Sequence, residues 1–98
     1  TMIKQGQNYF ALIVKGDSMI DDHIMDGDFV VIKKQKTANE NQIVVAVIDN
    51  NATLKRYRKT KGVIELHPAN ANYKPIRVKE DSNFEILGVL AGVIRSYK

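Results

Sequence analysis

The chain has 98 residues, 44% of them apolar, a formal charge of +4 and no cysteine. That length admits one domain with one modest core, and the apolar share excludes a chain disordered by composition. Without thiols there are no disulfides, no thiolate catalysis and no cysteine-based metal site.

No apolar run approaches the ~20 residues that a membrane helix needs, and no signal-peptide pattern opens the chain. The two histidines, His23 and His67, form no H-E-x-x-H pairing, so neither a zinc site nor any other metal or cofactor is expected. These features lead us to expect a cytoplasmic protein with no membrane contact. A charge of +4 points only weakly to nucleic acid. The opening Thr1-Met2 suggests an excised fragment.

In chain order the pattern is mainly β. Phe10 to Val14 is an apolar run of strand formers. Ser18 can cap a short helix over Met19 to Met25, with Asp21 three residues on as a weak capping-box partner. The turn signal Asp26-Gly27-Asp28 precedes a strand at Phe29 to Ile32. Ile43 to Ile48 is apolar throughout, which suits a strand buried on both faces. Asp49-Asn50-Asn51 then reads as a hairpin turn, because Asp and Asn tolerate the left-handed backbone it requires. Ala52 to Lys59 is the return strand, and Lys61-Gly62 turns the chain into Val63 to Leu66. Pro68 and Pro75 bracket a loop containing Asn70 and Asn72. Phe84 to Tyr97 closes the chain. Ile86, Leu90, Val93 and Ile94 match a helical spacing there, but Gly88, Gly92 and the β-branched residues favour strand. Gly88 and Gly92 have the same parity, which would put both on one face and mark a bend or close backbone approach. The expectation is a single compact, strand-rich domain over residues 1–98.

The pair that could carry chemistry is Ser18 and Lys55. Ser18 lies in Lys15-Gly16-Asp17-Ser18-Met19, where a strand gives way to a turn. Such a junction can expose a hydroxyl and aim backbone N–H groups at a developing oxyanion. Lys55 lies mid-strand. By alternation it shares a face with Thr53 and Tyr57, while Arg56 and Arg58 point the other way. A serine hydroxyl needs a base to take its proton. A lysine can do so once burial has lowered its pKa from about 10.4, giving a serine–lysine dyad. From residue types alone, a helix cap for Ser18 and a solvated strand lysine for Lys55 are the commoner roles.

Five blocks resemble LexA-type repressors and come in the order seen in that family: Tyr9-Phe10-Ala11-Leu12, Lys15-Gly16-Asp17-Ser18-Met19, Asp26-Gly27-Asp28, Ala52-Thr53-Leu54-Lys55-Arg56 and Gly88 to Arg95. The 37-residue separation of Ser18 and Lys55 also agrees with that family. The resemblance implies a mainly β fold of the LexA and signal-peptidase kind, serving as the C-terminal catalytic and dimerisation domain. It implies Ser18 as nucleophile, Lys55 as base, the backbone N–H groups of Asp17 and Ser18 as oxyanion donors, and Met19 shaping the substrate pocket. It implies cleavage of the repressor's own Ala-Gly bond, stimulated by a RecA filament on single-stranded DNA in the DNA-damage (SOS) response, which relieves repression. It also implies a homodimer, and operator DNA bound only through an N-terminal winged helix-turn-helix domain. No Ala-Gly pair precedes Ser18, so the cleavage loop and DNA-binding domain are expected to be absent from this chain.

The C-terminal run would dimerise as an edge strand, through Val89, Ala91 and Val93. Related alternatives are a UmuD-type polymerase accessory subunit and a phage-repressor assembly domain. The block Ala52 to Arg56 looks more like LexA than UmuD. The basic stretch Lys55, Arg56, Arg58, Lys59 and Lys61 reads as a solvated hairpin rather than a DNA contact. Asp21, Asp22, Asp26 and Asp28 lack calcium-loop spacing and read as helix-start and turn chemistry.

Overall fold

A computed structural model describes residues 8–95. Seven strands form one antiparallel sheet: β1 (Tyr9–Ile13), β2 (Phe29–Lys34), β3 (Ile43–Ile48), β4 (Asn51–Thr60), β5 (Val63–His67), β6 (Ile76–Arg77) and β7 (Phe84–Ile94). Their order across the sheet is β1-β2-β7-β3-β4-β5-β6. The fold is therefore mainly β, as the alternation indicates.

β3 is the strand buried on both faces. Val45 joins a cluster with Phe10, Met19, Ile24, Val30 and Ile32, while Val44 and Ala46 join a second with Tyr57, Leu66, Ile86 and Val89. A continuous apolar run makes this possible, because both side-chain rows find an apolar partner layer. The hairpins follow their turn residues. Asp49 and Asn50 have φ of 48° and 73°, and Lys61 and Gly62 have 52° and 79°, so both two-residue turns use the left-handed backbone. The first places Asn51 opposite Ile48, and β4 begins one residue earlier than the sequence suggests.

The structure departs from the expected elements in three places. The helix expected over Met19 to Met25 is one 3₁₀ turn, Ile20–Asp22, with Met19 rather than Ser18 at its N-cap and no side-chain cap bond. An α-helix would direct the Asp21 N–H to Asp17; here it donates to the Ala69 carbonyl at 2.7 Å instead, and His23 ends the turn at φ 61°. The two-residue β6, which pairs with β5 at Glu65 and Leu66, follows the Pro68–Pro75 loop and is too short to show alternation, so the sequence predicts no element there.

The third departure concerns β7, which is no simple edge strand. It lies between β2 and β3, pairing with β3 from Phe84 to Val89 and with β2 from Gly88 to Ile94. Among the described residues Phe84 to Leu87 pair with β3 alone and Leu90 to Ile94 with β2 alone; Tyr97 lies outside them. Two bulges bend it. Ile86 and Gly88 oppose the adjacent Ala46 and Val45, and Leu90 and Gly92 oppose Ile32 and Val31. The extra residues, Leu87 and Ala91, shift the alternation, so Gly88 and Gly92 do not share a face as parity alone suggested. Close approach does hold at Gly88, where a Cβ would lie 2.3 Å from the Lys33 carbonyl oxygen, but not at Gly92. Val89, grouped with Ala91 and Val93 as a dimer-surface residue, is buried in the second cluster, whereas Ala91 and Val93 are exposed.

Candidate active site

The site is built where β1 ends. Val14 continues the ladder beyond β1 by donating to Asp28 O at 2.8 Å and accepting from Gly27 N at 2.9 Å. Gly16 then takes φ 86°, a conformation that favours glycine, and its N–H donates to Asp26 Oδ1 at 2.7 Å. The chain turns sharply, and Met19 drives its side chain into the first core cluster with only 2% exposure. Ser18 is thus held between a strand end and a buried methionine, with its hydroxyl facing β4.

Lys55 meets it there. Lys55 Nζ lies 2.9 Å from Ser18 Oγ, 2.7 Å from Thr53 Oγ1 and 3.1 Å from the Leu54 carbonyl oxygen. The residue is only 9% exposed, and no carboxylate pairs with it among the described residues. Burial holds its amine below the ordinary lysine value. As a neutral amine Lys55 would offer two N–H groups to Thr53 and Leu54 and a lone pair to the Ser18 O–H. In the ammonium form all three positions donate.

A cleft of about 300 Å³ opens over this pair, lined in part by Leu12, Val14, Met19, Val30, Val45 and Leu54. Its walls mix these apolar side chains with Lys15, Ser18, Thr53 and Lys55. Met19, expected to shape the pocket, is one of its lining residues.

The back of the turn is held by the loop between Pro68 and Pro75. Ala69 N–H donates to Ser18 O at 2.8 Å. Asn70 Nδ2 donates to Asp17 O at 2.9 Å, and Asn70 Oδ1 accepts from Asn72 N–H at 2.9 Å. The Tyr73 hydroxyl donates to Asp17 Oδ1, which raises the Tyr73 pKa. Meanwhile neither the Asp17 nor the Ser18 N–H donates to an acceptor among the described residues.

Sequence reasoning brought Ser18 and Lys55 together but missed these supports. Thr53 was legible as a same-face neighbour of Lys55 by alternation. Asn70 and Tyr73 gave no such signal, being 53 and 56 residues from Asp17 in a loop with no periodicity.

The charged groups expected to be structural take structural positions. Arg56 pairs with Asp22 at 2.7 Å, and Arg58 pairs with Glu40 at 2.9 Å. Asp28 is buried and accepts from Arg95 and from Met25 N–H; the Arg95 hydrogen bond, first, and the Met25 one hold its carboxyl below the usual range. No group of three or more histidines, cysteines or acids placed to hold a metal occurs among the described residues. No helix of the described residues is long and apolar enough to cross a membrane.

Comparison with known proteins is consistent with this layout. The chain is 53% identical over all 98 residues to a LexA repressor of Syntrophotalea carbinolica, covering 48% of that protein. It is 50% identical over 91 residues to a LexA repressor of Acetivibrio thermocellus, with 93% of this chain and 42% of that one covered. To a LexA repressor of Thermosipho melanesiensis it is 45% identical over 97 residues, covering 99% of this chain and 48% of the relative. The chain therefore spans about half the length of the curated relatives it matches. The profile of the Peptidase S24-like family matches residues 1–91. With that match over most of its length, the chain belongs to the Peptidase S24-like family.

Proposed function

We propose that this domain is the serine endopeptidase part of a LexA-type SOS repressor, with Ser18 as nucleophile and Lys55 as general base. One observation carries the reading: a buried amine, without a carboxylate partner among the described residues, sits 2.9 Å from a serine hydroxyl. Ser18 Oγ attacks the scissile carbonyl carbon as its proton passes to Lys55 Nζ. The oxyanion is received by the N–H groups of Asp17 and Ser18, which have no acceptor among the described residues. The Lys55 ammonium then protonates the leaving amine, and the acyl group stays on Ser18 as an ester. Water, deprotonated by Lys55, attacks that ester; the new carboxylic acid leaves and Ser18 recovers its proton. The natural substrate is an Ala-Gly bond of the repressor itself, upstream of Ser18. Cleavage is stimulated by a RecA filament on single-stranded DNA and ends repression. Operator binding belongs to an N-terminal domain of the repressor, and the protein acts in the cytoplasm. A peptide carrying the Ala-Gly sequence, supplied in trans, tests the reading: the parent chain cuts it at that bond, and Ser18→Ala does not. Intact peptide with the parent at alkaline pH overturns it.

The same domain dimerises the repressor through the open flank of β7 from Leu90 to Ile94. In support, Val93 and Ile94 are 40% and 56% exposed beside backbone that has a partner strand on one side only among the described residues. Pairing with a second copy about a two-fold axis closes that edge. Light scattering across a dilution series is expected to show a dimer that Val93→Lys with Ile94→Lys converts to monomer. A strict monomer at high micromolar concentration contradicts it.

A further inference from the structure

We infer that Asn70 is a positioning residue for the reaction: it holds the Asp17–Ser18 peptide so that the Ser18 N–H stays aimed at the oxyanion. The inference rests on the reading of Ser18 as nucleophile and adds a part to it. A peptide unit is planar and trans, so its C=O and N–H point in opposite directions and cannot rotate independently. Fixing the Asp17 carbonyl on one side therefore fixes the Ser18 N–H on the other. Asn70 Nδ2 makes that bond at 2.9 Å. Ile20 N–H reaches the same oxygen only at 3.3 Å, so the Asn70 amide is the closer of the two restraints.

The amide is itself restrained. Asn70 is 8% exposed, and its Oδ1 accepts the Asn72 N–H at 2.9 Å, which orients its NH₂ toward Asp17. Next to it, Ala69 N–H holds the following carbonyl, that of Ser18, at 2.8 Å. Two successive carbonyls of the nucleophile turn are thus tied to two successive residues of one loop. The Ser18 N–H meanwhile has no protein acceptor among the described residues and remains available to the reaction. An oxyanion donor has its effect by being in place before charge develops, and a displacement of about 1 Å can lower a rate about 10²-fold. Asn70→Asp keeps the shape but sets a carboxylate oxygen against the Asp17 oxygen. Asn70→Ala removes the donor without adding charge.

The test measures kcat and KM for the Ala-Gly peptide, and the rate at which a fluorophosphonate labels Ser18, for the parent and both variants across pH. Expected are falls of about 10- to 100-fold in kcat and in the labelling plateau. KM and the pH midpoint set by Lys55 should stay where they are in the parent. A purely structural residue would instead lower the melting temperature and scale all activity with the folded fraction. The inference is overturned if a folded variant labels within twofold of the parent, if the loss lies in KM, or if the pH midpoint moves. It is also overturned if neither variant shows a native melting transition, since Asn70 then serves the fold. A parent in which Ser18 neither cleaves nor labels overturns the proposed function itself, a distinct result.

Discussion

The two rows of side chains on β4 show how one strand handles positive charge in opposite ways. Arg56 and Arg58 each meet a carboxylate, Asp22 or Glu40, at side-chain exposures between 28% and 45%. Lys55, one residue from Arg56, is buried and meets a hydroxyl of Ser18, a hydroxyl of Thr53 and a carbonyl. Guanidinium stays charged and suits paired, half-wet positions. An ammonium group loses hydration when buried, and no anion among the described residues offsets the loss, so the Lys55 pKa is lowered. What separates Lys55 from its basic neighbours is therefore the company each keeps.

The largest effect expected of this contrast is on catalysis. Ser18→Ala and Lys55→Ala should each lower cleavage of the Ala-Gly peptide on the order of 10⁴-fold. The double variant should be little worse than either single, because the pair acts as a unit. A Lys55→Ala chain that keeps most of its activity breaks the comparison outright.

Stability sharpens it from the other side. Between the lowered folded-state pKa of Lys55 and the ordinary value of about 10.4, the unfolded chain binds more protons than the folded one. Stability therefore rises with pH across that window, and the penalty of charging Lys55 is fully present below the folded pKa. Lys55→Met, similar in volume and uncharged, should raise the melting temperature at neutral pH by a few degrees. An unchanged or lower melting temperature would mean that the charged amine is better accommodated than its surroundings suggest.

The arginines should behave in the reverse sense. Arg56→Ala leaves Asp22 without its partner on the turn that follows Ser18, and should reduce stability by about 1 kcal/mol, with cleavage lowered less than tenfold. Arg58→Ala breaks a more exposed pair with Glu40 and should change stability by no more than about 0.5 kcal/mol. Denaturant midpoints measure both, and a larger loss at Arg58 than at Arg56 would reverse the ranking.

Much of this arrangement was legible in the sequence, for reasons that differ by element. The run Ile43 to Ile48 announced a strand buried on both faces, and Asp49-Asn50 and Lys61-Gly62 announced turns, because local chemistry decides both. Alternation separated Lys55 from Arg56 and Arg58. The place of β7 was not legible, because its apolar run looks the same at an edge or inside a sheet; Gly88 and Gly92 marked a bend, but not the bulges at Leu87 and Ala91 that precede them. Nor was the clamp behind Ser18, since Asn70 and Tyr73 reach it only through the fold. The helix after Ser18 was overestimated, because a capping signal at Ser18 and Asp21 could not reveal that Ala69 would claim the Asp21 N–H.

The central claim is that Lys55 acts as a neutral base on Ser18, and the pH dependence of Ser18 labelling in the parent and in Lys55→Ala tests it most directly. The account predicts a parent rate that rises with pH to a plateau, with a midpoint below the ordinary lysine value, and a Lys55→Ala chain that lacks this limb. A flat parent profile, or a rising limb that survives in Lys55→Ala, would contradict it.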